Sequence, residues 1–505
     1  MNPQLLTHAR DVARLTHHRL QMTIPSVLAR GELFALRLTA FGPDELPDEA
    51  FSHEIVFEGS VGIEGLPASV RFAPRSGGML EVPNLKAVGP DYARVLARLP
   101  ALSTTAQSNP AWVQDDPEFR LFWGDLHVHT TYSNCQPWSC RDPEFGYQYA
   151  REAAHLDFAA AADHLRGIAA EAGRWERLQR LARDYDANGR FVALLAFESS
   201  HRSGLGGDNN AYYLDHDGPY FWLDREDMRG NNPAVGVDEL WHFLDGTGKR
   251  YFTAPHHTGR AAKWRSFADG VYDARREPLF EVYSAWGSSE MRHTPFPLHG
   301  GNTDRPCYFV DALKAGCRYG LIASSDDHTT LPGGESRNWG TPLGPKALSG
   351  YAHKGLAAVR ARELTRQSLW EAFFARRTYA TTFARTPVDF RLGELRAGEE
   401  APVGPRDALR ARRVLRVRFT PDLPQPTAVA LMRNGEELAR QLVPFRRPAH
   451  GIEQVEFVDA EPLDAVAVRG ARFHPAAFAV YYVRLESGAC NQTQWTSPIW
   501  LDLRE

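Results

Sequence analysis

Two histidines separated by a single residue, His127 and His129, are the feature of the sequence with the clearest chemical meaning. They close the apolar run LFWGDLHVH, which predicts a buried β-strand. Alternate side chains of a strand point to the same face, so both imidazoles can reach one metal ion. Because a lone His-x-His pair is a weak signal, the inference of a metal site depends on further ligating residues elsewhere in the chain.

Several other apolar runs also end in residues of metal-ligating types. Polar residues that bind no metal and only make hydrogen bonds at a strand end would explain one such run. They would not explain an ordered series of such runs. The carboxyl ends of parallel strands face the active site in α/β folds, so these side chains are expected to converge. The later members of the series are Asp163-His164, Glu198, His256 and Asp326-x-His328.

The size of this ligand set predicts more than one metal ion. Zinc is bound by about four ligands and manganese by about six, so the set predicts two or three divalent ions. Imidazole and carboxylate ligands without thiolate favour Mn, Zn or Fe over copper. A carboxylate such as Glu198 can bridge two of these ions.

The elements that position these residues predict an α/β domain between two β-rich regions. Helical patterns such as DPEFGYQYAREAAH and GRWERLQRLARDYDANG separate several of the apolar runs, which predicts a parallel sheet, open or closed into a barrel. Residues 1–115 begin with a helical pattern and continue as alternating, half-buried strands. Residues 116–386 form the α/β domain, and residues 387–505 form a small β-sandwich of immunoglobulin or fibronectin character.

Composition excludes several classes of protein. The 505 residues include 58 Lys and Arg against 62 Asp and Glu, a net charge of −4, so no overall positive field favours long nucleic acid or anionic lipid. No apolar run approaches the roughly 20 residues of a membrane span. The first residues lack the apolar stretch of a secretory signal, and five cysteines fit a reducing compartment, which predicts a cytoplasmic protein. Cys135 and Cys140 are interpreted as free thiols rather than half of a zinc knuckle.

The ordered motifs resemble the PHP (polymerase and histidinol phosphatase) superfamily. Segments such as FWGDLHVHTTYS, EVYSAWGSSE and SSDDHTTLPG resemble a branch of it that is known only as a domain of unknown function. The resemblance covers most of residues 122–382 and, with a terminal motif, extends to about Leu501. It implies a distorted (β/α)7 TIM-like barrel, a trinuclear metal centre and phosphoesterase chemistry, and the residue pattern described above adds the β-rich N-terminal segment and the C-terminal β-sandwich.

The resemblance also implies which residues hold each ion. Glu198 would bridge the first ion to a second ion held by His256. A third ion would be held by His164 and His328. The implied ligands of the first ion are His127, His129, Glu198 and Asp326.

Two positions depart from the pattern of the family. Asn134 stands where the family usually has Asp or His, and it is taken as a weaker, neutral ligand of the third ion. Asp208 falls where the family tends to have His, and it is taken as a metal ligand too. His201 and His257 are reserve candidates.

The predicted activity is metal-assisted hydrolysis of a small phosphate ester, with a monoester favoured over a diester. Arg260 is predicted to contact the phosphate oxygens, with Arg202, Lys263 and Arg337 as alternatives. Asp163, next to the ligand His164, would orient an imidazole or carry a proton to the leaving group.

Two other function classes remain open from the sequence. A metal-dependent amidohydrolase or carboxylic ester hydrolase also uses His-x-His and a late Asp, although no Lys stands at an early strand end for the carboxylated lysine that is common there. A non-catalytic binding protein on a degenerate barrel is the other alternative, and the near-complete ligand set argues against it.

Overall fold

A computed structural model describes residues 19–42, 44–102, 104–135, 139–221, 235–301, 304–334, 354–421, 426–444, 451–487 and 492–505. The described residues form two compact units. The first contains those up to Leu121 together with the short segments Arg151–His155 and Arg385–Pro387. The second contains the remaining described residues from Phe122 onwards.

The first unit is built from strands whose apolar side chains alternate with polar ones. The run LFALRLTAF, for example, buries Leu36 and Leu38 on one face of its strand. The helical pattern at the start of the chain, which runs from Leu5 to Leu20, falls mostly outside the described residues, and its last residue, Leu20, lies in a strand. The strands are β1 Arg19–Thr23, β2 Val27–Ala29, β3 Leu33–Phe41, β4 Glu54–Val61, β5 Ile63–Glu64, β6 Ser69–Arg71, β7 Met79–Ala87, β8 Tyr92–Leu99, β9 Thr104–Gln107 and β10 Ala111–Gln114.

These strands form two sheets around one apolar core. One sheet has the order β1-β3-β7-β5, and the other has the order β2-β10-β8-β4-β6 with β9 paired to β8. Short 3-10 turns at Pro74–Ser76 and Pro100–Leu102 connect strands of this unit.

The second unit is organised by a sheet that contains the predicted apolar runs as strands. Nearly all of these residues are buried, as the sequence predicts for strands covered on both faces. The strands are β11 Arg120–Val128, β12 Phe158–Ala161, β13 Val192–Ser200, β14 Asp208–Tyr213, β15 Tyr251–His256, β16 Leu279–Ser284, β17 Gly287–Ser288, β18 Gly320–Ala323, β19 Leu356–Ala361 and β20 Thr378–Thr381.

The predicted parallel pairing is confirmed for much of this sheet. Strands β11, β12 and β13 are parallel, as are β15, β16 and β18. Strand β14 was not predicted: it follows β13 directly and pairs antiparallel with β13 and β15. Because its direction is reversed, its amino end lies at the edge where the carboxyl ends of its neighbours lie.

Helices follow several of these strands. The predicted helix start at Pro143 is confirmed, and the side chain of Asp142 caps it by accepting a hydrogen bond from the backbone of Glu144. This helix continues as a π-helical turn, Tyr149–Ala153. The helices are α1 Pro143–Gln148, α2 Leu165–Ile168, α3 Arg174–Tyr185, α4 Val237–Gly246, α5 Phe309–Lys314, α6 Arg366–Phe374 and α7 Leu463–Val466.

The chain after Pro387 is strand-rich, as predicted. Strand β20 pairs with a C-terminal strand, Gln492–Thr496, so that the central sheet continues into this region. Closure of the central strands into a seven-stranded barrel and a separate C-terminal sandwich both stay predictions. The strands are β21 Val388–Leu392, β22 Leu395–Arg396, β23 Glu400–Val403, β24 Arg413–Phe419, β25 Thr427–Arg433, β26 Glu436–Val443, β27 Glu453–Asp459, β28 Phe478–Ser487, β29 Gln492–Thr496 and β30 Ile499–Leu503.

None of the helices in the described part of the chain is both long and apolar enough to cross a membrane.

Candidate metal centre

The predicted ligands converge at one edge of the central sheet. His127 lies near the end of β11, Glu198 near the end of β13 and His256 at the end of β15. Isolated backbone bridges join two of these strands to the loops that carry the other ligands. Val128, at the end of β11, pairs with Asp327, and Glu198, in β13, pairs with His164. The side chains are therefore positioned by strand ends, as the sequence predicts.

Glu198 occupies the centre of this cluster. Its Oε2 atom lies 2.6 Å from Nδ1 of His164, 3.5 Å from Nε2 of His129 and 3.8 Å from Nε2 of His127. Its other oxygen, Oε1, lies 3.1 Å from Nε2 of His256. One buried carboxylate thus faces four imidazoles from three parts of the chain, which is the arrangement that a bridging ligand needs.

Asp326 is the second buried carboxylate of the cluster that lies close to several imidazoles. Its Oδ1 atom lies 3.0 Å from Nε2 of His129 and 3.6 Å from Nε2 of His127, and its Oδ2 atom lies 3.5 Å from Nδ1 of His257. The backbone of Asp326 has φ 49°, in the left-handed region that is unfavourable for residues other than glycine. Backbone strain of this kind is common at functional sites, where it directs a side chain into the site.

The residues present fit divalent metal ions. Four overlapping groups place one ligand atom per residue within 4.8 Å of one another. Several buried ligand atoms have no hydrogen-bond partner, which is costly for a buried polar group and is relieved by coordination to a cation. These atoms are Nε2 of His127, Oε2 of Glu198, Nδ1 of His256, Nδ1 of His257 and Oδ2 of Asp326.

Charge in this cluster keeps the carboxylates ionised. Burial opposes the charged form of Glu198, but His164 and the other facing imidazoles outweigh it and hold its pKa well below the usual value. Burial likewise opposes the ionisation of Asp326, and His127 and His129 hold its pKa well below the usual range. Both groups are therefore anionic at neutral pH, the form that coordinates metal.

Hydrogen bonds behind the ligands orient their rings. Nδ1 of His129 lies 2.7 Å from Oγ of Ser133, and the Ser133 hydroxyl donates to Oδ1 of Asp163 over 2.6 Å. We assign the His129 proton to Nδ1 on this basis, which leaves Nε2 free to coordinate. Nδ1 of His127 lies 3.2 Å from Oε2 of Glu281, a residue to which the sequence assigned no role.

Asp163 lies behind the ligands and is linked to the ring of His129 through Ser133. Its carboxylate is fully buried and accepts hydrogen bonds from the backbone N–H and hydroxyl of Thr130 and from Ser133. These contacts occupy both oxygens and fix the loop that follows β11. Asp163 is thus a positioning residue that acts through Ser133, and the structure gives it no contact with His164 side-chain nitrogens.

Asp208 does join the cluster, as predicted. It is the first residue of β14 and is aligned with Ser200 and His256. Its Oδ2 atom lies 3.0 Å from Nε2 of His257, and its Oδ1 atom accepts from Nζ of Lys263 over 3.0 Å. Burial and the neighbouring His256 lower the pKa of His257 to about 4, so its imidazole is neutral and able to ligate.

The side chain of Asn134 is paired with an arginine, and its role as a ligand of the third ion stays a prediction. Its backbone has φ 57°, and its side-chain Oδ1 accepts a hydrogen bond from Nη1 of Arg174 over 3.2 Å. The following residue, Cys135, instead joins His129, His164 and His328 in one of the four groups. Burial raises the pKa of the Cys135 thiol, but hydrogen bonds and charge from His164 and His328 outweigh it and lower the pKa to about 7.

The remaining reserve and cationic candidates differ in their surroundings. His201 is fully buried outside the four ligand groups, and burial lowers its pKa to about 3. Lys263 donates to Asp208 and Ser200, so its charge is already paired. Arg202 is exposed, and Arg337 lies outside the described residues.

Arg260 stacks on a tryptophan whose ring lies near two of the predicted ligands. Its guanidinium carbon lies 4.3 Å from the centre of the Trp286 ring. That ring lies 6.1 Å from the ring of His257 and 6.4 Å from the ring of His328. Arg260 is therefore connected to the ligand cluster through Trp286, and its contact with phosphate oxygens stays a prediction.

Comparisons with known proteins give limited similarity. No family model matches the chain. It is 25% identical over 436 residues to an uncharacterized protein of Chlamydia pneumoniae and 25% identical over 445 residues to one of Chlamydia trachomatis. Each alignment covers 86% of this chain and 65% of the relative, so the chain spans less than two thirds of the length of these relatives.

Among solved structures, the chain resembles a two-domain protein from Bacteroides vulgatus described as containing a predicted PHP-like metal-dependent phosphoesterase. The TM-score is 0.35 and the identity 12%, with 72% of this chain and 91% of that chain covered. A cycloisomaltooligosaccharide glucanotransferase from Paenibacillus follows with a TM-score of 0.26 and 9% identity, over 96% of this chain and 72% of that one. Because these similarities are low, they carry no argument about the function of this chain, which has to come from the residues of the site.

Proposed function

We propose that this protein is a metal-dependent phosphoesterase that hydrolyses a small phosphate ester, with a monoester preferred over a diester. The observation that supports this most directly is the position of Glu198, whose two oxygens face the imidazoles of His127, His129, His164 and His256. A buried carboxylate surrounded in this way suits adjacent divalent ions, and adjacent ions suit displacement at phosphorus.

The ligand groups divide the proposed centre into two or three positions. Glu198, His256, His257 and Asp208 would hold a second ion beside the first, and His164 and His328 would hold a third. Such ions supply a water that loses its proton near neutral pH and positive charge for the oxygens of the ester. Mn, Zn or Fe fit these ligands. The ligands of the first position are His127, His129, Glu198 and Asp326.

The other residues of the chain position the ligands and the substrate. Ser133 and Asp163 hold the ring of His129, and Glu281 holds the ring of His127, which fixes the coordinating nitrogens. Arg260, stacked on Trp286, would bind the phosphate oxygens that the ions leave free.

Elemental analysis and a substrate panel test this function together. The metal-replete protein is expected to contain at least two transition-metal ions per chain. It should hydrolyse an aryl phosphate faster than an aryl phosphodiester, an aryl ester or an anilide, and chelation should abolish the activity. Less than one ion per chain would contradict the metal centre, and preferential cleavage of the ester or anilide would instead establish a hydrolase acting on carbon.

The substitution Arg260→Ala tests the role of the positive charge beside the ligands. A hydrogen bond to a charged group contributes about 1.5–3 kcal/mol, so kcat/KM for an aryl phosphate should fall by roughly 10- to 100-fold. The fall should appear mainly in KM, with metal content unchanged, in steady-state kinetics. Arg305→Ala is the matched control, because the Arg305 guanidinium also stacks on a tryptophan, Trp264. Equal kinetics for Arg260→Ala and the unaltered protein would contradict this role.

A further inference from the structure

We infer that Cys135 provides a thiolate ligand to the third metal position, beside His164 and His328, and that this position therefore selects zinc or ferrous iron over manganese. The inference rests on the proposed metal centre and concerns one of its positions. The family resemblance places a ligand at Asn134, one residue earlier, and the sequence analysis interprets Cys135 as a free thiol.

The first support is the geometry of the four side chains involved. One ligand atom each from His129, Cys135, His164 and His328 lies within 4.8 Å of the others. The ring of His129 lies 4.1 Å from that of His328 and 4.6 Å from that of His164. Among the described residues, this is the group in which a sulfur atom meets several imidazoles, and such a combination is typical of zinc sites.

The second support is the way in which the loop is held. Thr130 caps the short 3-10 helix Thr131–Ser133, and both Thr130 and Ser133 donate to the buried carboxylate of Asp163. The left-handed backbone of Asn134 then turns the chain, so that its own side chain faces Arg174 while Cys135 lies against the imidazoles. The loop that leads to Cys135 is therefore held by buried hydrogen bonds up to Ser133.

The imidazole of His328 is also prepared for coordination. Its Nδ1 atom lies 3.0 Å from the backbone oxygen of Asp326. We assign the ring proton to Nδ1, because a carbonyl oxygen can only accept, and Nε2 is then free to bind a metal ion. This arrangement matches that of His129, whose Nδ1 is held by Ser133.

Ligand chemistry connects this geometry to the identity of the metal. Thiolate is a soft ligand that favours zinc and iron, whereas carboxylate and water suit manganese and magnesium. The groups around Glu198 and Asp326 contain only nitrogen and oxygen donors. The third position would therefore differ from the other two in its preferred ion.

Cys140 provides a matched control for the role of Cys135. It is a free cysteine five residues later in the chain, and its Sγ atom lies 3.3 Å from the backbone oxygen of His328. Its sulfur belongs to none of the four ligand groups. A nonspecific thiol effect would appear in both variants, whereas a ligand effect would appear in one.

Cobalt absorption spectroscopy tests the inference directly. Metal-free protein is titrated with Co²⁺, and the near-ultraviolet sulfur-to-cobalt charge-transfer band is recorded together with the visible bands of bound cobalt. We expect the charge-transfer band in the unaltered protein, in Cys140→Ser and in Asn134→Ala, but not in Cys135→Ser. The zinc affinity of the weakest site should fall at least about tenfold in Cys135→Ser, since even loss of an indirect contact to a ligand costs 10- to 100-fold.

A second measurement needs no variant of Cys135. Iodoacetamide labelling of Cys135, located by peptide mass spectrometry, should be blocked by stoichiometric Zn²⁺ and not by the same concentration of Mn²⁺. Equal labelling with and without Zn²⁺, or bound cobalt without the sulfur band, would overturn the inference and leave the rest of the metal centre in place. A protein that binds no cobalt at all would overturn the proposed function as well.

Discussion

Replacing Glu198 by glutamine is expected to lower kcat/KM for an aryl phosphate by about a thousandfold or more, because residues that act as a unit lose most of their effect when one is removed. Glutamine keeps the shape of the side chain but lacks the negative charge that faces the four imidazoles. The same substitution should reduce the metal content by at least one ion per chain. Steady-state kinetics and elemental analysis of one preparation measure both effects.

Glu281→Gln is the matched control for this prediction. Glu281 is also a buried glutamate on a strand of the same sheet, β16, but it contacts Nδ1 of His127, the nitrogen that faces away from Glu198. Loss of such an indirect contact typically costs 10- to 100-fold in activity or metal affinity, so the control should be affected far less. If the two variants lost activity equally, Glu198 would not have the bridging role assigned to it.

The ligand-bearing strands could be predicted because their sequences leave little choice. Short runs such as FVALLAF and GLIA contain no polar side chain, and an α/β fold buries such runs as covered strands. The polar residues must then emerge at the strand ends. His127, Glu198 and His256 are found there for this reason.

Strand β14 could not be predicted by the same reasoning. Its sequence DNNAYY begins with three polar residues and has no helix before it, so the expected alternation of parallel strands and helices does not describe it. The three polar side chains are buried because the strand lies between β13 and β15. Asp208 was nevertheless identified, through the family resemblance rather than through the strand pattern.

The loop after β11 shows why ligand identity is harder to predict than ligand position. The family resemblance placed a ligand at Asn134, and the next residue, Cys135, lies with His129, His164 and His328 in one of the ligand groups. Asn134 has a positive φ and its side chain accepts a hydrogen bond from Arg174, and the sequence specifies neither of these features. The role of Asp163 is likewise decided by hydrogen bonds to Thr130 and Ser133, which no spacing in the sequence specifies.

Removal of metal is expected to destabilise the unit that contains the site. An ion that binds only the folded state at a concentration about 1,000 times its dissociation constant raises the free energy of unfolding by about 4 kcal/mol. At about 2–4 °C per kcal/mol, the melting temperature of that unit should rise by roughly 10 °C between chelated and zinc-replete protein. Differential scanning calorimetry at matched pH and ionic strength measures this shift.

The physical cause of this stabilisation can be separated from nonspecific binding of ions. Without metal, Glu198 and Asp326 each keep a buried oxygen that has no hydrogen-bond partner, and the ion supplies that partner. Glu198→Gln should therefore show a much smaller shift with zinc than the unaltered protein, whereas binding at surface carboxylates would shift both proteins equally. Identical melting temperatures with zinc and with chelator would mean that the unpartnered atoms of the cluster do not coordinate an ion. The first unit contains none of the ligands, so any transition that belongs to it should keep its melting temperature in every sample.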